Sequence, residues 1–557
     1  TQPRRVAVST VCERVAAERA SPLGGEVGYA MRFERKTSKR TAVVFATDGL
    51  VVREMLGDAR LDSYGVLVVD EAHERAVHTD VLLGLAKRAA AARRGEKTPL
   101  RLVLMSATLD VDAFKAYFED AAVVRVPGRA HPVDVFYLTI AADDYQDAAA
   151  DCCAQLHADP TCDGDVLVFM PGQEEIAACA ALLEERLAET SGPFVVVQLY
   201  AALPRDAQLA AFKKPPPGTR KFVVSTTIAE TSVTISGVRH VVDPGWAKAR
   251  ACDARGFEAL RLAATSKAQA RQRAGRAGRE APGRCYRLYP EAAFSKLPAA
   301  ARPEIERCDL ASVVLQLKAL GVPRPEAFDF VTKPPRHALL RALETLYAVE
   351  ALDDAGALTP RGKRLAALPL PPLLASAVDL AAARPAGAPD VLAVVAVIVA
   401  SEHGLFATPR GAEARAAAIR ARDAFEDPSG DLWTARNAFV TCLKESSEAS
   451  RDAWCRRRFL AAPAVKAASR VLKQLRDQLD AEVYVPEAPP PRDKARTEAL
   501  DTLATAFCVA NCAIRDATRR CFRAVRHRVD VFVHPSSVLH GRNPAPDALV
   551  YASSVQT

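Results

Sequence analysis

Unbroken apolar runs of strand length recur through the first half of the chain. Each stops at small or acidic residues and is followed by a helical pattern. Val43-Val44-Phe45-Ala46 stops at Thr47-Asp48-Gly49, Val66-Leu67-Val68-Val69 at Asp70-Glu71, and Leu102-Val103-Leu104-Met105 at Ser106-Ala107-Thr108. Runs that are apolar at every position predict strands covered on both faces, as in a parallel sheet built of βα units. Such sheets place ligands at the carboxyl ends of their strands. A second set follows at Val166–Phe169, Val195–Val197, Phe222–Val224 and Val238–Val242. It predicts a second α/β domain, with the boundary near Pro127–Pro132. Lys213-Lys214-Pro215-Pro216-Pro217-Gly218 must be a loop, because consecutive prolines fit neither a helix interior nor a central strand.

After Pro290 the pattern changes. Leu310–Leu320, Ala338–Ala351, Leu373–Ala400 and Ala464–Leu479 read as helices, and Pro486–Pro491 as a Pro-rich hinge. Strand-like runs return at Val529–Val533 and Leu549–Tyr551, so a small β domain is expected at the end. The longest apolar run, Val391–Ala400, is shorter than the ~20 residues a bilayer requires.

Composition narrows the class. The chain has 557 residues, 49% hydrophobic and 25% charged, which is a folded rather than a disordered balance. That length suggests about three to five domains. Thirteen scattered cysteines, an odd count, fit reduced thiols. Thr1–Arg5 has no apolar h-region, so no secretory signal is expected. The net charge is only +8, but it is clustered. Residues 1–40 hold nine Lys/Arg against four Glu, residues 267–287 seven against one, and residues 515–528 six Arg against one Asp. Grouped cations favour a phosphate-backbone partner.

The chemistry sits at strand ends. Asp70-Glu71 closes an apolar strand with two carboxylates. In nucleotide hydrolases of this architecture the Asp holds Mg²⁺ and the Glu orients or deprotonates the attacking water. His73 and His78 lie five residues apart, about 140° around a helix, so they cannot share a zinc ion on one face. Adjacent Cys152-Cys153, with His157 and Cys162, do not match zinc-finger spacing either. The second signal is Gln272-Arg273-Ala274-Gly275-Arg276-Ala277-Gly278-Arg279. Arg276 and Arg279 share a helical face, and two guanidiniums suit the charge of a transferring phosphoryl group.

Asp70-Glu71-Ala72-His73, Ser106-Ala107-Thr108 and the 272–279 segment together resemble the DEAH-box RNA helicases of superfamily 2. Thr1–Ala7 resembles their motif Ia, Thr47-Asp48-Gly49 motif Ib, Val166–Ile176 motif IV and Ser225–Ile235 motif V. The resemblance runs on past residue 290 and covers nearly the whole chain. It implies two tandem RecA-like parallel-sheet domains, at 1–130 and 131–292. A winged-helix-like unit would follow at 293–366, a helical ratchet at 367–482 and an oligonucleotide-binding (OB) β domain at 483–557. Val77–Leu82 and His534–Leu539 resemble the metazoan nucleolar group tied to ribosomal RNA. That implies RNA processing or ribosome biogenesis, in the nucleus or nucleolus, with the cytoplasm as the alternative.

The resemblance also assigns roles. Asp70 would hold Mg²⁺, Glu71 would be the hydrolytic base, and His73 would couple the site to the opposite domain. Ser106 and Thr108 would link hydrolysis to RNA movement. Gln272 would position the water, and Arg276 and Arg279 would bind the phosphates of ATP or another NTP. Arg14 and Phe212 would sandwich the base, and Thr231 and Ser236 would add nucleotide contacts. Arg4, Arg5, Thr47, Asp48 and Thr226 would hold single-stranded RNA by its backbone, independently of sequence. Residues about 243–265 would form a strand-separating β-hairpin, and a glycine-patch protein would be a partner of the C-terminal region. No membrane is implied.

The chain departs from the family at Thr227, where Asn is usual, at Ser236, where many members have Asp, and at Ala202, where Ser is common. It contains no G-x-x-x-x-G-K-[ST] phosphate loop; the nearest string, at Gly356, Gly362 and Lys363, has the wrong spacing and is followed by Arg364. The loop is expected N-terminal to Thr1, so the 557 residues are expected to be part of a longer protein whose OB region also stops early. Turnover by this chain alone is expected to be absent or weak. The alternative is a non-hydrolysing RNA-binding scaffold with the helicase fold.

Overall fold

The computed structural model describes residues 1–107, 111–119, 121–128, 131–201, 203, 205–230, 234–252, 258–400, 404–407, 409, 412–479 and 492–552. In the first domain, β1 (Val27–Met31) pairs antiparallel with β2 (Glu34–Lys36) and parallel with β3 (Val43–Ala46). β4 (Val66–Val69) and β5 (Arg101–Leu104) form a separate parallel pair. Residues 1 and 2 join the two pieces. Gln2 N–H donates to Ala46 O at 2.9 Å, Asp70 N–H donates to Thr1 O at 3.3 Å, and the Thr1 ammonium donates to Val68 O. The helix Arg5–Glu18 then covers β1 with Val8, Cys12 and Ala16.

Sequence patterning found β3, β4 and β5 but not β1, β2 or this helix. β1 is Val-Gly-Tyr-Ala-Met, fully buried, yet it lacks the β-branched run that marks a strand. Its Gly28 is required, because a Cβ there would overlap the Lys36 carbonyl.

The second domain is one six-stranded, all-parallel sheet. Its strands are β6 (Val133–Tyr137), β7 (Asp165–Phe169), β8 (Phe194–Leu199), β9 (Arg220–Ser225), β10 (Val238–Asp243) and, after a hairpin of β11 (Trp246–Cys252) and β12 (Glu258–Ala264), β13 (Gly283–Arg287). Their spatial order is β6-β13-β10-β7-β9-β8. Alternate residues serve two cores: Val166, Val168, Phe222 and Val224 face one helical layer, and Leu167, Phe169, Val223 and Val241 face the other. Burial on both faces is why Val166–Phe169 and Phe222–Val224 are apolar throughout.

The C-terminal half is helical, and it shares its core with the first domain. One continuous cluster joins Val51, Val52, Leu82 and Leu85 to Leu310, Val314, Leu346 and Val391–Val397. The apolar run at 391–397 is therefore core, and no single helix among the described residues is long and apolar enough to cross a membrane. The Leu373–Ala400 stretch is two helices, Pro372–Ala382 and Ala388–Ala400. Pro385 between them can neither donate the backbone hydrogen bond nor clear the preceding turn. The helix Arg492–Cys508 packs on both.

The chain ends in a four-stranded antiparallel sheet, β14 (Cys512–Asp516), β15 (Cys521–Ala524), β16 (Asp530–Val531) and β17 (Ala548–Val550), ordered β16-β15-β14-β17. Patterning located the last two strands but read β14 and β15 only as a basic cluster. The expected Pro-rich hinge lies outside the described residues.

The helix Val77–Ala92 of the first domain meets the helical half at Gly84. A Cβ there would lie 2.6 Å from Phe328 Cζ and 2.7 Å from the Asp329 carbonyl. Beside it Lys87 pairs with Asp329 at 2.8 Å, and Tyr117 donates to Asp329 O at 2.6 Å. Gly84→Ala is expected to destabilise the chain by about 1–3 kcal/mol through overpacking at this joint, as read by chemical denaturation.

Candidate active site in the cleft between the parallel sheets

The carboxyl end of β4 is bent sharply. Glu71 sits at φ 53°, ψ 34°, and Arg75 at φ 49°, with a single 3-10 turn, Ala72–Glu74, between them. Left-handed backbone at a non-glycine residue costs of order 1 kcal/mol or more, and it persists where surrounding contacts impose it. Here Asp70 holds the corner. Its Oδ1 accepts the Glu71 N–H at 2.8 Å and its Oδ2 accepts the Gln2 amide at 2.5 Å. On the far side, Arg75 grips buried Asp80 through two 2.8 Å bonds and Thr332 of the helical half at 2.7 Å.

The bend sends His73 into the cleft, where three segments meet on one imidazole. Its Nδ1 is 3.1 Å from Ser106 Oγ at the end of β5 and 3.6 Å from Glu71 Oε2; its Nε2 is 2.6 Å from Gln272 Nε2 of the second domain. With the Gln272 amide donating to Nε2, the ring proton sits on Nδ1, facing Ser106 and Glu71. His78 points elsewhere, packed against Gly49, with burial lowering its pKa.

Gln272 lies on the helix Lys267–Gly275, which opens with a full capping box from Ser266 and Gln269. The helix stops at Gly275, so Arg276 and Arg279 stand on the turn after it rather than on a helical face. Arg276 stays within 3.4 Å of the Gln272 carbonyl, and Arg279 donates to Thr234 Oγ1. Burial pushes the Arg276 guanidinium down to about 10, with neighbouring Arg279 acting in the same direction and Glu71 and Glu230 opposing. Arg279 is lowered by burial too, and Glu71 again opposes. Glu71 is thus an acid whose field reaches both cations. The glycines that precede each arginine differ. Gly275 opens on free space, whereas a Cβ at Gly278 would lie 2.6 Å from His131 O, so its close approach is to its own domain at the entry to β6.

Sequence reasoning missed Arg273, which holds this turn. It is fully buried, donates to Glu230 at 3.1 Å and Asp243 at 2.7 Å, and lies over the Phe169 ring. The signal was present, since Arg273 sits in the basic string and Asp243 ends a strand. The pairing needs the fold.

The remaining candidates scatter. Arg14 is exposed and paired with Glu18 at 2.6 Å; Phe212 is half-buried against the domain core; Ser236 is half-buried before β10. Thr226 caps the turn Thr227–Ala229. Thr47 is half-buried ahead of the helix Asp48–Glu54, and Arg5 is exposed. Two RNA assignments meet obstacles. Asp48 is buried, bonded to Thr79, with its pKa raised by burial, so no RNA backbone reaches it. Arg4 is engaged in the cleft, donating to Glu74 at 3.2 Å and to Thr227 O at 2.6 Å. Thr108 and Thr231 lie outside the described residues.

A cavity of about 530 Å³, in which four arginines outnumber the acids Glu306 and Asp309, lies between the domains and the C-terminal half. Arg32 of the first domain, Arg250 of the hairpin, His337 and Arg341 of the helical half, and Arg526 after β15 line it. Arg32 and Arg526 were visible beforehand, as members of two separate basic clusters.

Comparison with known proteins closes the question of kinship. Residues 148–281 match the helicase conserved C-terminal domain, and residues 342–370 the winged-helix helicase associated domain, HA2. The chain is 36% identical over 618 residues to the pre-mRNA-splicing factor ATP-dependent RNA helicase DEAH10 of Arabidopsis thaliana, a match covering all of this chain and 83% of that protein. The chain belongs to the DEAH-box RNA helicase family. It is also 39% identical over 562 residues to the pre-mRNA-splicing factor ATP-dependent RNA helicase prp22 of Schizosaccharomyces pombe, of which it spans 46%. Its fold is similar to the E. coli DExH-box NTPase HrpB, with a TM-score of 0.73 and 27% identity over 96% of this chain and 58% of that one. A DEAH-box member accounts for both parallel sheets and for the helical half behind them.

The lowered Arg276 pKa has a consequence for stability. A folded state that binds this proton less tightly than the unfolded chain holds the cation at a cost at neutral pH. Arg276→Ala is therefore expected to raise the Tm of the ligand-free chain, by roughly 1 kcal/mol of stability, and to reduce the stabilisation by added tripolyphosphate. Thermal unfolding with and without that anion reads both effects.

Proposed function

We propose that this chain is the motor region of an ATP-dependent RNA helicase acting in nuclear RNA processing. The observation that carries the reading is the His73 contact. It ties the carboxylate corner of one domain to the helix that presents Arg276 in the other, so a phosphoryl site built from both domains would sense their closure. Asp70 and Glu71 offer the oxygen donors that Mg²⁺ takes together with substrate phosphates. Asp70 would hold the ion, which would neutralise phosphate charge. Glu71 would accept the water's proton, Gln272 would orient that water, and Arg276 and Arg279 would bind the phosphates. Ser106, on the same imidazole, and Thr108 would pass the change to RNA. Arg14 and Phe212 would flank the base, with Thr231 and Ser236 adding nucleotide contacts. The P-loop would come from N-terminal to Thr1.

RNA would be held by its backbone through Arg5, Thr47 and Thr226 and by the basic cavity, a path that carries no base selectivity. The units at 1–130, 131–292, 293–366, 367–482 and 483–557 would then surround that path. The splicing roles named for the two curated relatives favour pre-mRNA processing in the nucleus, and a glycine-patch protein is a reasonable partner for the C-terminal region.

The test uses a chain extended N-terminally through the P-loop. RNA-stimulated ATP hydrolysis and duplex unwinding are expected, and Glu71→Gln should bind ATP while losing at least about a hundredfold in turnover. Undiminished turnover in that variant would remove Glu71 from its role, and an inactive parent would favour the scaffold alternative. RNA affinity of the 557-residue chain should fall steeply with salt and vary little with base composition.

A further inference from the structure

We propose that Glu74, Arg4 and the Thr227 carbonyl form a latch across the cleft, with Glu74 and Arg4 as positioning residues that hold the Thr226–Glu230 turn against the carboxylate corner. Arg4 is thereby withheld from RNA while the cleft is closed. The inference rests on reading the cleft as the NTP site, and it takes Arg4 out of the RNA-contact set.

Arg4 is anchored in the first domain, one residue beyond the Thr1-Gln2 pair that joins β3 to β4, and its carbonyl accepts the Val8 N–H at 3.1 Å. Its guanidinium divides between domains: Nε to Glu74 Oε2 at 3.2 Å, Nη1 to Thr227 O at 2.6 Å. The Arg4 and Glu74 side chains are only 28% and 15% exposed, so the pair is not a solvent-screened surface contact. Glu74 belongs to the turn that carries His73, its N–H bonded to Glu71 O at 2.9 Å.

The other end of the latch leads inward. Thr227 O also accepts the Glu230 N–H at 3.1 Å, and the Glu230 carboxylate holds buried Arg273 at 3.1 Å. Arg273 adjoins Gln272 and precedes Arg276 by three residues. A pull on the Thr227 carbonyl thus acts on the segment that places both. Arg4 also adds to the cationic field that lowers the Arg276 guanidinium, and Glu74 is its partner within 3.2 Å.

Amide hydrogen exchange on the full 557-residue chain tests the latch. E74Q and R4Q are each expected to raise exchange at Ile228–Glu230 about fivefold or more, with the double variant no greater than the larger single, and with β7 and β9 unchanged. Unchanged protection in E74Q, or factors that multiply in the double variant, would overturn the proposal. So would loosening of β7 and β9 in E74Q, which would make Glu74 a general stabiliser. A second arm measures binding of a uridine oligomer of roughly 12 nucleotides by fluorescence anisotropy between about 50 and about 200 mM salt. R4Q should keep the wild-type slope of log affinity against log salt; a slope smaller by about one would place Arg4 on a phosphate and refute its withholding. Failure of the wild-type chain to bind the oligomer would count against the helicase reading, and the exchange arm would still decide the latch.

Discussion

The second parallel-sheet domain owns its core, whereas the first shares one with the helical half, and this asymmetry organises the molecule. Apolar burial fuses the first domain to residues 310–507, and close packing there resists relative movement. Across the cleft the ties are mainly polar, His73 to Gln272 and Arg4 to Thr227 O, with half-buried Val6 the apolar contact onto the second domain's core. Polar contacts exchange with water at small net cost. A domain with its own two-sided core, joined this way, can change its distance from the first without unfolding anything.

Chemistry gathers where the joint is weakest. The left-handed Glu71 and the 3-10 turn after it aim His73 into the cleft, and Gln2, Ser106 and Arg75 hold that geometry from three sides. Opposite stand two desolvated guanidiniums, both shifted downward by burial. Like charges kept partly dry carry an electrostatic cost. The buried Arg273–Glu230–Asp243 cluster takes the opposite role: its charges are paired with one another and hold the turn rigid.

Legibility in the sequence followed apolar runs. β7 and β9 were visible because the apolar runs Val166–Phe169 and Phe222–Val224 are buried on both faces, whereas β3, β4 and β5 showed through apolar runs in which Val43, Val66 and Val103 are exposed. β1 was hidden by its glycine and alanine. β14 and β15 were masked by arginines facing solvent, which broke the apolar pattern. Asp70, Glu71, His73, Gln272, Arg276 and Arg279 could be named because each lies in a short string of unusual composition.

What the strings could not contain is distance. Sequence by itself determined the βα alternation, the two carboxylates at a strand end and the paired arginines, since these depend on local periodicity and residue type. Only the tertiary structure decided that one imidazole joins three segments, that Asp48 is buried out of reach, and that Arg4 spans the cleft. The last contact lies 223 residues apart along the chain. Such contacts arise when helices and sheets pack, and no local pattern encodes which carbonyl a guanidinium will meet.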